Sequence, residues 1–286
     1  MQRHDFLDST LILAGHGSTL NAESSAPTYQ HGDELRRRRI FGQVLECFWK
    51  LEPSVCGVMR GVATNRVFVV PLFISEGYFT EQVIPRELGL CRPGAESFAR
   101  VQRVGGRRVY YCGPVGTHAS MTEVILSRAR EVVAKHPFPR APKPSETTLF
   151  IAGHGTGNNE NSRKAIERQV ELIGRLGIYA EVFAVFMEEE PRIERCYEMA
   201  RTRHVVMVPF FISDGLHSHE DIPRMLGESE HTLRERLKLG QPTWRNPSER
   251  RNKMVWYSAS IGDDPLIAEV ILDRVKEACA GDLEPC

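Results

Sequence analysis

The chain carries one sequence pattern twice, at a constant separation of 138 residues. An apolar segment that ends in Gly-His-Gly occurs at residues 11–17 and again at 149–155. A longer segment, VFVVPLFISEGYFTEQVIPREL at 67–88, matches VVMVPFFISDGLHSHEDIPRML at 205–226, with 11 of 22 positions identical. Because the register is kept over so much of each half, the chain is predicted to fold as two copies of one structural unit.

The separation of the two copies increases to 146 residues after this segment. The second copy therefore carries eight additional residues between Leu226 and Val255, which we expect to form a loop or a helix extension. The stretch HPFPRAPKPSE between the copies has four prolines in eleven residues, and such a segment continues neither a helix nor a central strand. It predicts a domain boundary near residue 141, with an N-terminal domain at 1–140 and a C-terminal domain at 141–286.

Each copy alternates apolar, strand-like runs with helical stretches. In the first copy the runs are TLILAG, VLECFWKLEP, VFVVPLFI and RRVYYCGP. This alternation predicts the α/β class, as two tandem similar domains that each have a parallel four-stranded sheet with helices on both faces. We expect the two domains to be related by a pseudo-two-fold axis. Ligands of such sheets bind beyond the carboxyl ends of the strands.

The composition excludes several classes of partner. Basic and acidic residues balance at 37 each, so the net charge indicates neither nucleic-acid nor membrane binding. No apolar run reaches the ~18 residues that span a bilayer, and the first ten residues form no apolar leader. The seven cysteines form no C-x-x-C pair, which is typical of reduced thiols, and we expect a cytoplasmic monomer or homodimer. A metal cluster at Cys279 and Cys286 is an alternative.

The two Gly-His-Gly turns are the first candidates for chemistry. His16 and His154 each follow a strand directly, and the flanking glycines allow a tight turn and close approach by a substrate. A phosphate-binding loop, in which the backbone N–H groups act and the histidine is incidental, is the alternative interpretation.

The two copies differ most in the loop after the third strand. The second copy has His217, His219, Glu220 and Asp221 at positions where the first has Phe79, Glu81, Gln82 and Val83. One copy is therefore rich in metal ligands and bases where the other is apolar or weakly polar. Imidazoles bind Co²⁺, Ni²⁺, Fe²⁺ and Zn²⁺, and they accept protons near neutral pH.

The same loop resembles the start of a helix. We expect Ser218 to be the N-cap and Asp221 to complete a capping box, which would hold His217 just outside the helix. The carboxyl ends of two strands of one domain would then present His154 and His217 to one pocket.

These motifs resemble the class II tetrapyrrole chelatases. The repeated Gly-His-Gly turn, VPFFISDGLHSHEDIP and the Glu-Pro strand end are similar to the sirohydrochlorin cobalt- and ferrochelatases of cobalamin and sirohaem synthesis, in their long two-domain form. The resemblance implies two chelatase-like α/β domains and two histidines that handle the metal and the pyrrole protons. By position these are His154 and His217. The first copy keeps His16 but has Phe79, so we expect the working site in the second copy only.

The resemblance also implies the roles of the residues. Metal insertion releases two pyrrole protons and needs no nucleotide and no redox step, so no cofactor is expected beyond the substrate metal, Co²⁺, Fe²⁺ or Ni²⁺. His154 is assigned as base and metal-delivery ligand and His217 as second ligand. The residues expected to assist the histidines are Glu220, Asp214 and Glu190, and Glu220 is also expected to be a metal ligand. Glu190 is repeated in the first copy as Glu52. The tetrapyrrole is expected to contact Phe79, His16 and Arg224, and the first copy has Arg86 at the position of Arg224.

Three other functions compete with this interpretation. A carrier would use the same pocket to hold tetrapyrrole or metal without turnover. A histidine phosphatase requires arginine before the histidine, where this chain has Gly15 and Gly153. A serine hydrolase requires Gly-x-Ser-x-Gly, which is absent from the sequence.

Overall fold

The computed structural model describes residues 6–19, 24–92, 94, 97–137, 139–155 and 160–281. The chain divides into two compact units. Unit 1 contains residues 1–121 and 265–286, and unit 2 contains residues 122–264. No helix among the described residues combines the length and the apolar character needed to cross a membrane.

Each unit is built on a sheet of five strands. In chain order the strands are β1 Phe6–Gly15, β2 Phe41–Phe48, β3 Arg66–Pro71, β4 Val101–Val104, β5 Arg107–Tyr111, β6 Thr147–Gly153, β7 Glu181–Phe186, β8 His204–Pro209, β9 Ser248–Arg250 and β10 Lys253–Tyr257. The strand orders are β2-β1-β3-β5-β4 and β7-β6-β8-β10-β9. All neighbouring strands are parallel except at one edge, where β4 and β9 run antiparallel to their partners.

The helices cover these sheets. They are α1 Ala26–Arg38, α2 Val55–Val58, α3 Ile84–Glu87, α4 Met121–Lys135, α5 Asn161–Leu176, α6 Cys196–Met199, α7 Ile222–Met225, α8 Glu230–Lys238 and α9 Ile267–Ala280. Single 3₁₀ turns lie at Met59–Gly61, Val115–Thr117, Pro144–Glu146, Ile193–Arg195 and Ile261–Asp263. Two π-helical turns, Phe79–Val83 and His217–Asp221, precede α3 and α7.

The two α/β domains with mainly parallel sheets are confirmed, but the predicted number of four strands is wrong. The additional strand in each unit is short and contains polar residues, with the sequences VQRV and SER. It forms a hairpin with the following strand, through Gly105 and Gly106 in unit 1 and Arg251 and Asn252 in unit 2, all with positive φ. Such an edge strand lacks the continuous apolar run that marks a strand buried on both faces.

The last helix of each copy packs in the unit formed mainly by the other copy. Helix α9 belongs to unit 1, where it contacts β3 and β5, and Arg274 donates to the Pro114 carbonyl at 2.7 Å. Helix α4 belongs almost entirely to unit 2, where buried Arg128 bonds Glu131 at 2.7 Å and also Asp263. The compact units therefore differ from the predicted domains 1–140 and 141–286 by these two helices.

The additional residues of the second copy build a helix and a loop. Helix α8 has no counterpart among the described residues of the first copy between Leu88 and Val101. The Ser229 hydroxyl caps α8 by accepting a hydrogen bond from the Thr232 N–H at 3.1 Å. The expected helix extension is thus confirmed.

Substitution Ile271→Asp tests the exchange of helices. Ile271 is fully buried on α9, so a carboxylate there is expected to destabilise unit 1 by about 4 kcal/mol or more. Hydrogen exchange should then accelerate in β3 and β5, while β8 and β10 stay protected. Lys276→Ala, on the exposed side of the same helix, is the control. Faster exchange confined to β8 and β10 would contradict the helix assignment.

Candidate active site

The carboxyl end of β6 places His154 at the sheet edge. β6 ends at Gly153, and Gly155 has φ of +67°, so the chain turns directly after the histidine. The N–H of Glu188, in the loop after β7, donates to the His154 carbonyl at 3.0 Å. This bond brings the Glu188 carboxylate to 3.8 Å from His154 Nδ1.

The second π-helical turn places His217 beside it. The Ser218 hydroxyl accepts from the Gly215 N–H at 2.9 Å and donates to the Gly215 carbonyl at 3.1 Å. The buried Tyr257 hydroxyl, at the end of β10, donates to the Ser218 carbonyl at 2.7 Å. The predicted capping box is wrong, because Ser218 bonds backward to Gly215 and Asp221 bonds the His217 ring. His217 itself is the first residue of the turn.

The two imidazoles form a close pair. The ring centroids of His154 and His217 are 4.9 Å apart, and the ring planes are inclined at 79°. His154 Nδ1 lies 3.1 Å from the Gly155 carbonyl oxygen, and His217 Nδ1 lies 2.8 Å from Asp221 Oδ2. Since a carbonyl or a carboxylate oxygen only accepts, each Nδ1 carries the hydrogen, and each neutral ring keeps its lone pair on Nε2. Two Nε2 lone pairs are thus available to a metal or a proton.

Of the carboxylates predicted to assist the histidines, Asp214 and Glu190 bond other groups. In the part of the chain that the structure describes, no group of three or more His, Cys, Asp or Glu side chains is arranged to hold a metal ion. The role of Glu220 as a metal ligand stays a prediction. Asp214 Oδ1 instead accepts the Ser260 hydroxyl at 2.5 Å, which fixes the loop before the π-helical turn. Glu190 accepts the Arg192 N–H at 3.2 Å, and its counterpart Glu52 does the same for Ser54 at 2.7 Å. These two glutamates brace a turn.

The arginines and cysteines singled out in the sequence have the following contacts. Arg224 lies with Nη1 3.6 Å from Asp221 Oδ1, so it supports the carboxylate that holds His217. Its counterpart Arg86 lies 3.4 Å from Glu87. Cys286 is outside the described residues, while Cys279 Sγ lies 3.1 Å from Arg66 Nη2. A metal cluster at Cys279 and Cys286 stays a prediction.

Sequence reasoning missed Glu188. The signal was present, because the aligned residue of the first copy is Lys50 and the charge at this position is therefore reversed between the copies. The reversal matters because in both copies the N–H of this residue itself donates to the histidine carbonyl, Glu188 to His154 and Lys50 to His16, each at 3.0 Å.

The corresponding site of unit 1 has the same backbone and different chemistry. The His16 ring lies 4.8 Å from the Phe79 ring and 5.4 Å from the Trp49 ring, measured between centroids. Burial lowers the pKa of His16 below its ordinary 6.5, the Gly17 carbonyl opposes that shift, and the Lys50 ammonium adds to it. His16 is therefore a neutral imidazole within an aromatic group.

The pKa of His16 is testable by NMR. We expect its ring to titrate below pH 6.5, and Trp49→Ala to raise the midpoint because the ring gains water. A lowered histidine pKa contributes stability above pH 6.5 that is lost as the pH falls through the folded-state value. The wild type should therefore lose stability relative to His16→Gln on acidification. A midpoint at or above 6.5 would contradict the buried environment.

Replacement of Asp221 tests how the His217 ring is held. Asp221→Ala removes the acceptor of Nδ1, so Co²⁺ affinity measured by calorimetry should fall about 10- to 100-fold, the usual effect of losing such a partner. Asp221→Asn keeps an acceptor oxygen and should lose less. Glu220→Gln is the comparison variant, because Glu220 neighbours Asp221 in the chain and its substitution tests whether Glu220 is itself a metal ligand. An equal loss in Glu220→Gln would show that Glu220 is a ligand.

Comparisons with known proteins show the family of this chain. The family model described as CbiX matches residues 10–132 and 148–278, which are the two copies. The probable sirohydrochlorin cobaltochelatase of Halobacterium salinarum is 41% identical over 280 residues, covering 94% of this chain and 91% of that protein. The sirohydrochlorin cobaltochelatase of Methanopyrus kandleri is 31% identical over 150 residues, 46% of this chain and 95% of that protein.

A solved structure shows the same fold. It is a multi-domain protein of Deinococcus radiodurans, described as structurally similar to chelatases, with a TM-score of 0.73 and 31% sequence identity. The match covers 93% of this chain and 54% of that protein. Both copies of the repeat match one family model, and a relative of nearly equal extent is aligned along most of the chain. The chain therefore belongs to the CbiX family.

Proposed function

We propose that this chain inserts a divalent metal ion, Co²⁺ or Fe²⁺, into sirohydrochlorin on the route to cobalamin or sirohaem. The observation that carries the proposal is the pair of His154 and His217, with rings 4.9 Å apart and both Nε2 lone pairs available. The names of the relatives, sirohydrochlorin cobaltochelatases, support this substrate and favour Co²⁺.

Two imidazoles suit a metal that must be passed on. Nitrogen ligands bind Co²⁺, Ni²⁺ and Fe²⁺, and a structural metal site closes its coordination sphere with four protein ligands. The pair of His154 and His217 leaves most coordination positions to water and to the pyrrole nitrogens. The ion can therefore exchange from imidazole to macrocycle without leaving a closed site.

The Nε2 atoms of His154 and His217 also account for the two pyrrole protons that the reaction releases. A divalent ion that enters the ring displaces two pyrrole protons. As the ion leaves Nε2 of His154 and of His217, each lone pair becomes free to take one proton. Glu188 and Asp221 lie beside the two rings on the Nδ1 side, and their negative charges favour the resulting imidazolium ions.

The charge difference between the copies favours unit 2 as the metal site. Lys50 next to His16 repels a cation, whereas Glu188 next to His154 attracts one. Phe79 stands where the second copy has His217, so the first copy has one imidazole where the second has two.

The aromatic group of unit 1 suits the face of a tetrapyrrole. It comprises His16, Trp49, Phe73, Tyr78 and Phe79, and the Trp49 and Tyr78 residues are 40% and 58% exposed. Exposed rings of this kind stack on flat, conjugated ligands. We therefore keep Phe79 and His16 as substrate-binding residues.

The proposal is tested with metal-free protein, sirohydrochlorin and Co²⁺, Fe²⁺ or Ni²⁺ in turn, following the absorbance of the ring. His154→Ala and His217→Ala should each lower kcat at least ~100-fold, because each removes a ligand and a proton acceptor. His16→Ala should lower it less than ~10-fold, since that ring has no second imidazole beside it.

The control variant is His231→Ala, an exposed histidine on α8. Circular dichroism should show that all variants are folded, because the side chains of His154 and His217 are 30% and 48% exposed. A protein that binds the ring and the metal without turnover would be a carrier. Equal damage by His16→Ala and His154→Ala would show that the site is not confined to the second copy.

A further inference from the structure

A cavity of about 510 Å³ lies in unit 2, between α8 and the segment that leads into β9. The additional residues of the second copy contribute to its wall. Its lining includes three arginines, Arg236, Arg245 and Arg250, and two glutamates, Glu228 and Glu249. The charges of these five residues point to an anionic ligand.

A buried carboxylate fixes two of the arginines. Glu228 is 8% exposed, and its Oε2 lies 3.3 Å from Arg250 Nη2 and 3.5 Å from Arg236 Nη1. Arg236 also donates to the Thr243 carbonyl at 2.9 Å. A guanidinium has five N–H donors, so each arginine is held in place while keeping donors for another acceptor.

The third arginine supplies the excess positive charge. The Arg245 side chain makes no ion pair or hydrogen bond among the described residues, and the residue is exposed. Glu249 does not neutralise it, because its carboxylate lies 3.1 Å from the guanidinium of Arg203. The wall of the cavity therefore presents one positive charge without a partner, next to two that share Glu228.

The sheet places Arg245 at the same edge as the histidine pair. β9 is antiparallel to β10, so the segment before Ser248 lies at the carboxyl end of β10. The Asn246 side chain bonds both the N–H and the carbonyl of Tyr257 at 2.8 Å. The Tyr257 hydroxyl in turn bonds the π-helical turn that begins with His217.

The separation suits one ligand. Three strand spacings divide β6, which ends beside His154, from β9, and at about 4.8 Å each they amount to about 14 Å. This is comparable to the breadth of a tetrapyrrole with extended carboxylate arms. The copy that carries the second histidine is also the copy that carries the additional segment.

We propose that Arg245, with Arg236 and Arg250, binds peripheral carboxylates of the tetrapyrrole while the macrocycle lies at the histidine pair. The proposal rests on the proposed function for the identity of the ring. Guanidinium groups bind carboxylates through paired N–H···O bonds, which makes them suited to acidic side arms. Arg245 thereby selects for acidic tetrapyrroles over apolar ones.

The test measures equilibrium binding of metal-free sirohydrochlorin by its absorbance change, without added metal. Arg245→Ala should raise Kd about tenfold or more, as expected for loss of a charge-assisted hydrogen bond, and Arg245→Lys should recover part of it. Arg245→Glu should raise Kd further. Arg245 forms no ion pair with Glu228, so these substitutions leave the ion pairs of Glu228 with Arg236 and Arg250 intact. Arg168→Ala, an exposed arginine on α5, is the matched control and should leave Kd unchanged.

A second arm uses sirohydrochlorin with its carboxyl groups esterified. The values of Kd for the wild type and Arg245→Ala should then differ less than twofold, because esterified arms carry no negative charge for the guanidinium to pair with. An unchanged Kd for the acid form in Arg245→Ala, or the same loss for the ester, would overturn the inference. Failure of the proposed function is distinct from this, since it shows as absence of metal insertion whatever the value of Kd.

Discussion

The parallel pairing of β6 with β8 is the constraint on which the candidate site depends. Ala152 pairs with Pro209 in this register, so both strands end at the same edge of the sheet. His154 directly follows β6, and the loop after β8 places His217 beside it. An antiparallel arrangement would send the two chain ends to opposite edges. No direct bond between the histidines is needed, because the sheet positions His154 and the hydrogen bond from the Tyr257 hydroxyl to the Ser218 carbonyl holds the π-helical turn that carries His217.

The duplicated backbone separates scaffold from chemistry. In both units the residue two after the strand-end glycine of the Gly-His-Gly turn has positive φ, at Gly17 and Gly155, and both have a π-helical turn after the third strand. The differences lie in side chains that the scaffold does not require. The first copy has aromatic side chains around its single histidine, His16. The second copy has two histidines, and a carboxylate lies near the Nδ1 atom of each. Duplication allowed this, because either copy preserves the fold.

Much of the fold could be predicted from the sequence, since the repeat and the apolar runs define the parallel strands directly. The edge strands were missed because segments of three or four residues are too short to carry a periodic signal. The closeness of His154 and His217 was predictable from strand ends alone. The partners of their Nδ1 atoms were not, because the π-helical turn redirects Asp221 from a backbone cap to the ring, and Glu188 reaches His154 through a loop bond between strands.

The exchange of α4 and α9 has a consequence for synthesis of the chain. Unit 2 is continuous from residue 122 to 264, so all of its residues are synthesised before α9. Unit 1 contains residues 1–121 but also residues 265–286, so one face of β3 and β5 stays uncovered until α9 has been made, while the other face packs against α2 and α3. Domains of a nascent chain generally fold from the N-terminus onward. Here the order is reversed: the unit whose first residues are synthesised first is completed last, and one face of its sheet is exposed until then.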